Sequence, residues 1–420
     1  MKKFKMILSV LIILTSIVLC QQIIHNSTIN QANKVDSAEL NHIRYGLLSV
    51  DTWKTQVSGI VLAEVDKLDF TNDYETELKS NIETQLNILI TKVDEKIKQS
   101  NKGFKGAIKQ AFIDIFISID DIKKGIPTYA DSMVKEMQKT RNQAKIKALL
   151  KEKLVQYIDK TFDQQDMSQV ERIMKRTDSL DIETARLVLA NEIAKKKEVI
   201  SNESIILISI SIILFLLPAF NNKEALQPFQ YSIMILSLII LLVVGVTSPM
   251  IDMEAKISKM TFILMDHQIH FENQVLYFQT KSVLDVFWIM ITHETFQMKF
   301  VGILMVLFSI VFPVLKIISS WAFYYNYRQA RENKWVKFFV LKSGKWSMAD
   351  VMVVAIFMAY IGFNGIITSQ FGKLSTATKD IVILTTNGTA LQPGYYLFFT
   401  YAMLALFLSA YLAKLPHEEK

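Results

Sequence analysis

Lys316 and Asp350 are the residues of this chain whose type and position point most directly to chemistry. Lys316 lies in Phe312-Pro313-Val314-Leu315-Lys316-Ile317, and Asp350 in Gly344-Lys345-Trp346-Ser347-Met348-Ala349-Asp350. Each sits near the same end of an apolar segment, and the two segments run antiparallel through one connecting loop. Both charges therefore reach similar depth, and a Lys316–Asp350 ion pair is expected. A charge inside an apolar span is costly to hold and marks an ion pair, a proton relay or a substrate path. Pro313 has no N–H to give, leaves a carbonyl one turn earlier without its partner, and predicts a kink beside Lys316. A plainer reading stands beside this one: Lys316 stretches toward the headgroups and Asp350 caps its helix. Asn364 and Thr400 are polar within apolar segments too, where such residues usually bond to backbone or to a neighbouring helix.

Other chemistry is sparse. Asp266-His267-Gln268-Ile269-His270-Phe271-Glu272 is the only cluster with metal-ligand residue types. On a strand His267 and His270 point to opposite faces, so the segment reads as a solvated turn and no metal site is expected. The single cysteine, Cys20, excludes an intrachain disulfide and any CxxC zinc site. It ends the apolar run Ile17-Val18-Leu19-Cys20. Leu19 is too large for the position before a lipidated cysteine, so Cys20 reads as an ordinary helix residue. There is no P-loop, GxSxG, dinucleotide fingerprint or HExxH. No catalytic residue and no cofactor site are expected, and the chain is not expected to be an enzyme.

The elements that must position Lys316 and Asp350 follow from hydropathy. Of 420 residues, 51% are apolar and 21% charged. That mixture, with a mean hydropathy of +0.26, implies segregation into membrane and water-exposed parts. The formal net charge of +7 fits cytoplasmic Lys and Arg facing anionic lipid. No basic stripe carries interleaved aromatics, so nucleic acid is not an expected partner. Lys2, Lys3 and Lys5 precede the apolar stretch Met6–Cys20. No small-x-small cleavage site follows, and residues 1–20 read as an uncleaved signal anchor. Five further apolar runs approach the length a hydrocarbon core needs: Ile205–Phe220, Tyr231–Pro249, Phe300–Phe323, Ala349–Thr368 and Tyr395–Ala413. The loop after the fourth span holds Arg328, Arg331, Lys334, Lys337, Lys342 and Lys345 against one acid, Glu332. With the N-terminal lysines, it places both termini in the cytoplasm. Trp321, Trp335, Trp346, Tyr324, Tyr325 and Tyr327 then gather at the cytoplasmic interface, Trp346 as an interfacial anchor.

Between the first two spans, residues 21–203 turn polar and helical. Asp36 with Glu39, and Asn72 with Glu75, have capping-box spacing. Leu78, Ile82, Leu86, Leu89, Val93 and Ile97 share one helical face. A long helix is predicted over Thr128–Phe162, and short ones over Ser168–Lys175 and Asp181–Lys197, together a helical bundle. The outer loops of the last four spans differ. Met260–Met265, Val275–Gln279 and Asp380–Thr385 are β-prone, and Asn387-Gly388 is a tight-turn pair. Pairing between loops 251–299 and 369–394 is expected, because either hairpin alone is marginal. The fold class is thus mainly α. It is a polytopic membrane protein with six transmembrane helices, an extracytoplasmic bundle at 21–203 before the second span (204–220), and a small extracytoplasmic sheet on the last four helices (231–415).

Two stretches carry a resemblance: Ser282–Ile317, ending in Phe312-Pro313-Val314-Leu315-Lys316, and Gly344-Lys345-Trp346-Ser347-Met348-Ala349-Asp350-Val351-Met352-Val353-Val354-Ala355. With Gly394-Tyr395-Tyr396-Leu397-Phe398-Phe399, they look like the membrane module of the paraquat-inducible protein A (PqiA/LetA) family. The resemblance implies a bacterial inner-membrane protein that works with MCE-type periplasmic proteins in moving lipids or keeping the envelope intact. It implies that Lys316, Ser347 and Asp350 belong to one polar network inside a four-helix module. The longer members have two such modules and cytoplasmic zinc ribbons built on four cysteines. Here one module is visible, so self-association into a homo-oligomer is expected to supply the missing half. The expected function is a non-enzymatic component of envelope lipid transport or membrane homeostasis. An envelope stress sensor using the 21–203 domain is the alternative, and a structural scaffold a third reading.

Overall fold

The computed structural model describes residues 2–46, 166–219, 228–264, 267–342, 349–372, 376–377 and 381–413, with scattered residues between 49 and 155. The helices expected over 78–97 and 128–162, and the Asn72–Glu75 cap, lie largely outside the described residues.

Helix α1 (Lys2–Leu40) runs unbroken through residue 20, where the apolar stretch ends. Polarity changes there but helix-forming character does not, and the face that packs on its neighbour continues through Ile23 and Leu40, both fully buried. Asp36 and Glu39 therefore do not open a helix, as their spacing predicts; they lie in the last turns of α1. Asp36 pairs with Arg176 at 2.7 Å, and Glu39 pairs with Arg44. After α2 (Ser168–Arg176), α3 (Ile182–Ala219) joins the expected 181–197 helix and the second apolar run into one element. Thr184 N–H bonds the Asp181 carboxylate at the start of α3 and holds that carboxyl below its usual range. α1 and α3 pack antiparallel through a polar ladder. Lys196 Nζ donates to Asn26 Oδ1 (2.8 Å), Asn33 Nδ2 to Glu192 Oε2 (2.8 Å) and Arg186 Nη2 to the Leu40 carbonyl (2.7 Å).

The rest is four further spans and a sheet. α4 is Pro228–Thr247, β1 Ile251–Leu264 and β2 His267–Lys281. A helical hairpin follows, α5 (Val283–Thr292) and α6 (Phe296–Val306), then a π turn (Leu307–Val311) and α7 (Phe312–Tyr325). The remaining elements are α8 (Lys334–Lys337) with a π turn (Phe338–Lys342), α9 (Ala349–Gly372), β3 (Thr376–Ala377), β4 (Ile381–Asn387), β5 (Ala390–Leu391) and α10 (Pro393–Ala413). Among the described residues, six helices are long and apolar enough to cross a membrane, the pattern of a multi-pass membrane protein.

The sheet is antiparallel in the order β2-β1-β4-β3, with β5 also on β1, so strands from the two expected loops do pair. It has five strands where the sequence marks three β-prone segments, and β1 and β2 are far longer than those segments. The segment 267–273 is strand, not a polar turn. Bulges explain the difference. Register shifts between Ala255 and Lys256 against β2, and between Ile257 and Lys259 against β4. Asn273 takes φ 51° opposite this stretch. Each extra residue flips the inside–outside alternation and conceals a period-2 pattern.

α4 and α10 form the centre of the membrane part: Tyr231, Leu241, Val244, Leu397, Phe398 and Tyr401 are all fully buried. A Cβ on Gly245 would lie 3.0 Å from the backbone of Phe398, so glycine sets the closest approach of the two helices. Gly245→Leu should push them apart and cost about 1–3 kcal/mol, the usual range for overpacking, read as a lowered thermal midpoint in mild detergent.

Candidate functional site in the membrane module

The helix carrying Lys316 has its polarity inside out. Ser309, Pro313, Lys316, Ser320 and Phe323 recur at steps of four and three and are buried. On the other side Val311, Val314, Leu315, Ile318 and Trp321 are exposed. A soluble helix would bury the second set and expose the first; in hydrocarbon the reverse is stable. Lys316 is 4% exposed and lies nine residues before Tyr325, roughly 13 Å along the axis. It therefore sits between two and three turns in from that end of α7. The neighbours of α7 are α4, α8 and the turn Phe338–Lys342, with α10 behind.

Pro313 is the second residue of α7, directly after the π turn Leu307–Val311. Proline cannot donate to the carbonyl of Ser309 and its ring crowds that carbonyl, so a wide turn relieves both. At the far end Asn326 closes α7 in the left-handed conformation (φ 48°). Arg331 caps the last carbonyls, with Nε donating to Phe323 O (3.2 Å) and Nη2 to Tyr324 O (3.3 Å). Four of the aromatic residues singled out in the sequence, Trp321, Tyr324, Tyr325 and Tyr327, gather here with Tyr231. Tyr231 stacks on Tyr324 at 3.9 Å, Trp321 lies 5.3 Å from Tyr325, and Arg328 covers Tyr327 at 5.4 Å.

α9 is the most loosely held span: 11% of its apolar window is buried within the protein, against 67% for α4. Val351, Val354, Met358, Ile361 and Ile366 are exposed. Its contacts are with α10, the π turn Leu307–Val311, β1 and β4. The polar contact to the sheet is Asn387 at the end of β4. Its Nδ2 bonds Asn364 Oδ1, the Asn364 carbonyl (3.1 Å) and Thr368 Oγ1 (3.2 Å). Its Oδ1 accepts the Thr389 N–H at 2.9 Å. Asn364, a polar residue inside an apolar run, thus receives the sheet. Asn387, expected only as a turn former, is a clamp between sheet and span.

A polar knot lies where the sheet meets the spans. Lys34 Nζ of α1 reaches Asp252 Oδ2 of β1 at 2.5 Å and Gln392 Oε1 at 3.1 Å. One turn earlier, Gln31 Nε2 donates to Asp285 Oδ2 (2.8 Å) and to the Thr280 carbonyl (3.2 Å). Asp285 also closes a capping box with Ser282 at the start of α5. Asn30 Oδ1, Asp252 Oδ1 and Thr280 Oγ1 are buried with no hydrogen-bond partner among the described residues. Beyond the knot, the chain after α1 lies along β2, with Val275 N–H donating to Asn41 O at 2.7 Å and His42 bridging Val275 in parallel. Burial pushes the His42 imidazole below its ordinary value, Arg44 adds to this, and Glu39 opposes it.

Of the residues expected to form one network, Lys316 is buried as described and Asp350 falls in the first turn of α9. The side chain of Asp350, and Trp346 and Ser347 entirely, lie outside the described residues. His270 Nδ1 is 3.1 Å from Thr261 Oγ1, a cross-strand contact on the sheet. Among the described residues no group of three His, Cys, Asp or Glu is placed to hold a metal. Sequence reasoning misses the knot around Lys34. Lys34 and Asp252 lie 218 positions apart, and the only local sign is Gln31 and Lys34 sharing one helical face.

Residues 274–392 match the family model of paraquat-inducible protein A, in the half of the chain where the sequence carries the resemblance. The matched stretch holds the second half of β2, the α5–α6 hairpin, α7, α9 and the short strands β3, β4 and β5; β1 lies before it. It contains Phe312–Lys316 and Gly344–Ala355 but not Gly394–Phe399. No curated protein and no solved structure matches the chain.

Proposed function

We propose that this chain is an inner-membrane component of a bacterial envelope lipid-transport or membrane-homeostasis system, with both termini in the cytoplasm and the sheet outside. It binds membrane lipids and works with an MCE-type periplasmic partner. A single module of this kind would complete itself by pairing with a second copy. One observation carries the reading: inside the family-matched segment, a span with a buried polar face touches, at its π turn Leu307–Val311, a span that the protein barely covers. A lipid has a charged head and apolar tails. A groove opened at that contact, with Ser309 and Lys316 behind it and an apolar rim, would offer surroundings for both ends. Swinging α9 about its attachment to β4 would widen that groove without unpacking α4 and α10. The chemistry is positional, and no covalent step is needed.

Mass spectrometry of the full-length protein, purified in mild detergent, should find co-purified phospholipid. An MCE-type protein should be recovered after cross-linking in the native membrane. Protein free of phospholipid, cross-linking to no such partner, would falsify the proposal. The sensor reading has one observation in its favour, the continuity of α1 and α3 from the spans into the polar domain. A cytoplasmic signalling protein in the same cross-linking experiment would turn the assignment toward it.

A further inference from the structure

The span that carries Lys316 is longer than a membrane is thick. At its inner end Tyr325 Oη donates to the Pro228 carbonyl at 2.6 Å, level with the start of α4. At the outer end of α4, Met250 N–H donates to Lys281 O at 2.9 Å, directly before the α5–α6 hairpin. α4 has 20 residues, whereas the window Phe296–Tyr325 has 30. Measured along its axis, the second helix therefore continues about 15 Å past the outer end of the first. The hairpin is closely packed, because a Cβ on Gly302 of α6 would lie 2.8 Å from Met290 Cβ of α5.

This extension is apolar on its outside. Phe296 is 80% exposed and Trp288 67%, and Phe300 and Ile303 are exposed beside them. The hairpin tip at 292–295, with His293 and Glu294, is polar and exposed, so the end of the structure is built for water while its flank is not. Phe296, Phe300, Ile303, Leu307, Val311, Val314 and Ile318 follow one another at steps of three and four. Leu307, at the start of the π turn, is half-buried and the other six are exposed, so together they mark one apolar stripe from mid-span to the hairpin tip. An exposed apolar surface of this kind marks an interaction site, and here it continues the face that meets lipid within the span.

We infer that this stripe is a rail for phospholipid acyl chains: a tail leaving the bilayer stays against Val314, Ile303, Phe300 and Phe296 while its headgroup remains in water. The inference rests on the lipid-transport reading and adds the path taken on the outer side. The test places a photoactivatable amino acid at position 296, 300 or 314 of the full chain. The protein is reconstituted in phosphatidylethanolamine–phosphatidylglycerol vesicles. A Glu294→Cys variant, made in a Cys20→Ser background, reports on the hairpin tip. The expected result is lipid cross-linking at 296 and 300 with a yield comparable to 314, with the thiol of the Glu294→Cys variant open to an impermeant maleimide. Lipid captured at 314 alone, or only protein captured at 296 and 300, overturns the rail and leaves the transport reading standing. An unreactive thiol in the Glu294→Cys variant also overturns it, because the hairpin then lies within the leaflet. Loss of co-purified phospholipid from the unmodified protein strikes at the transport reading instead.

Discussion

Replacing Lys316 by Met should leave a folded, inserted protein that no longer supports growth in detergent, reducing resistance to the level of a host lacking the gene. Methionine keeps most of the lysine stem's packing, so the change in stability should stay within about 1–2 kcal/mol. A buried ammonium is expensive to desolvate, and apolar replacements of buried charges are often neutral or stabilising. Function is a different matter if the charge faces the path of a lipid headgroup. The two measurements are the thermal midpoint in mild detergent and survival in detergent of a deletion host carrying the variant. Asp350→Ala should give the same loss if the two charges act as one network. Full resistance in both variants would show that the buried face of α7 only packs.

The second large effect belongs to the knot at the base of the sheet. Lys34→Met leaves Asp252, 9% exposed as a side chain, without its ammonium. Breaking a buried pair from one side costs about 3–5 kcal/mol, because the remaining charge is uncompensated. For a chain of this size that lowers the thermal midpoint by roughly 3–6 °C. Lys34→Met combined with Asp252→Leu should recover much of the loss, since neither charge is then buried. A double variant as unstable as the sum of the single ones would mean that the contacts to Gln392 and Gln31, not the ion pair, hold α1 to the sheet.

The spans are the most legible part of the sequence. Each apolar run after residue 203 matches one of the helices α3, α4, α6–α7, α9 and α10, with Ser248 and Pro249 past the end of α4 and Phe220 outside the described residues, because lipid exposure writes itself into composition. What hydropathy cannot mark is where a helix stops. α1 and α3 continue well past their apolar stretches because Asn26, Asn33, Glu192 and Lys196 join them in water as firmly as leucines do in lipid. The strands are legible in place but not in length, since the bulges around Ile257 and Asn273 shift the alternation partway along. Lys316 stands out because a charge in an apolar run is rare. The partners of Lys34 and Asn387 do not: the folded chain brings them together, and no short-range pattern records it.

α1 and α3 have a mechanical consequence. Each is close to 40 residues long, or about 58 Å, and they are bolted side by side with no hinge in either. Such a pair behaves as a stiff mast. A push or twist applied to the water-side domain arrives at the base of the sheet through Lys34, and at α4 through the Ser237–Ser211 hydrogen bond of 3.1 Å, with little lost on the way. Whatever grips the polar ends of α1 and α3 therefore has leverage on the sheet and on α4.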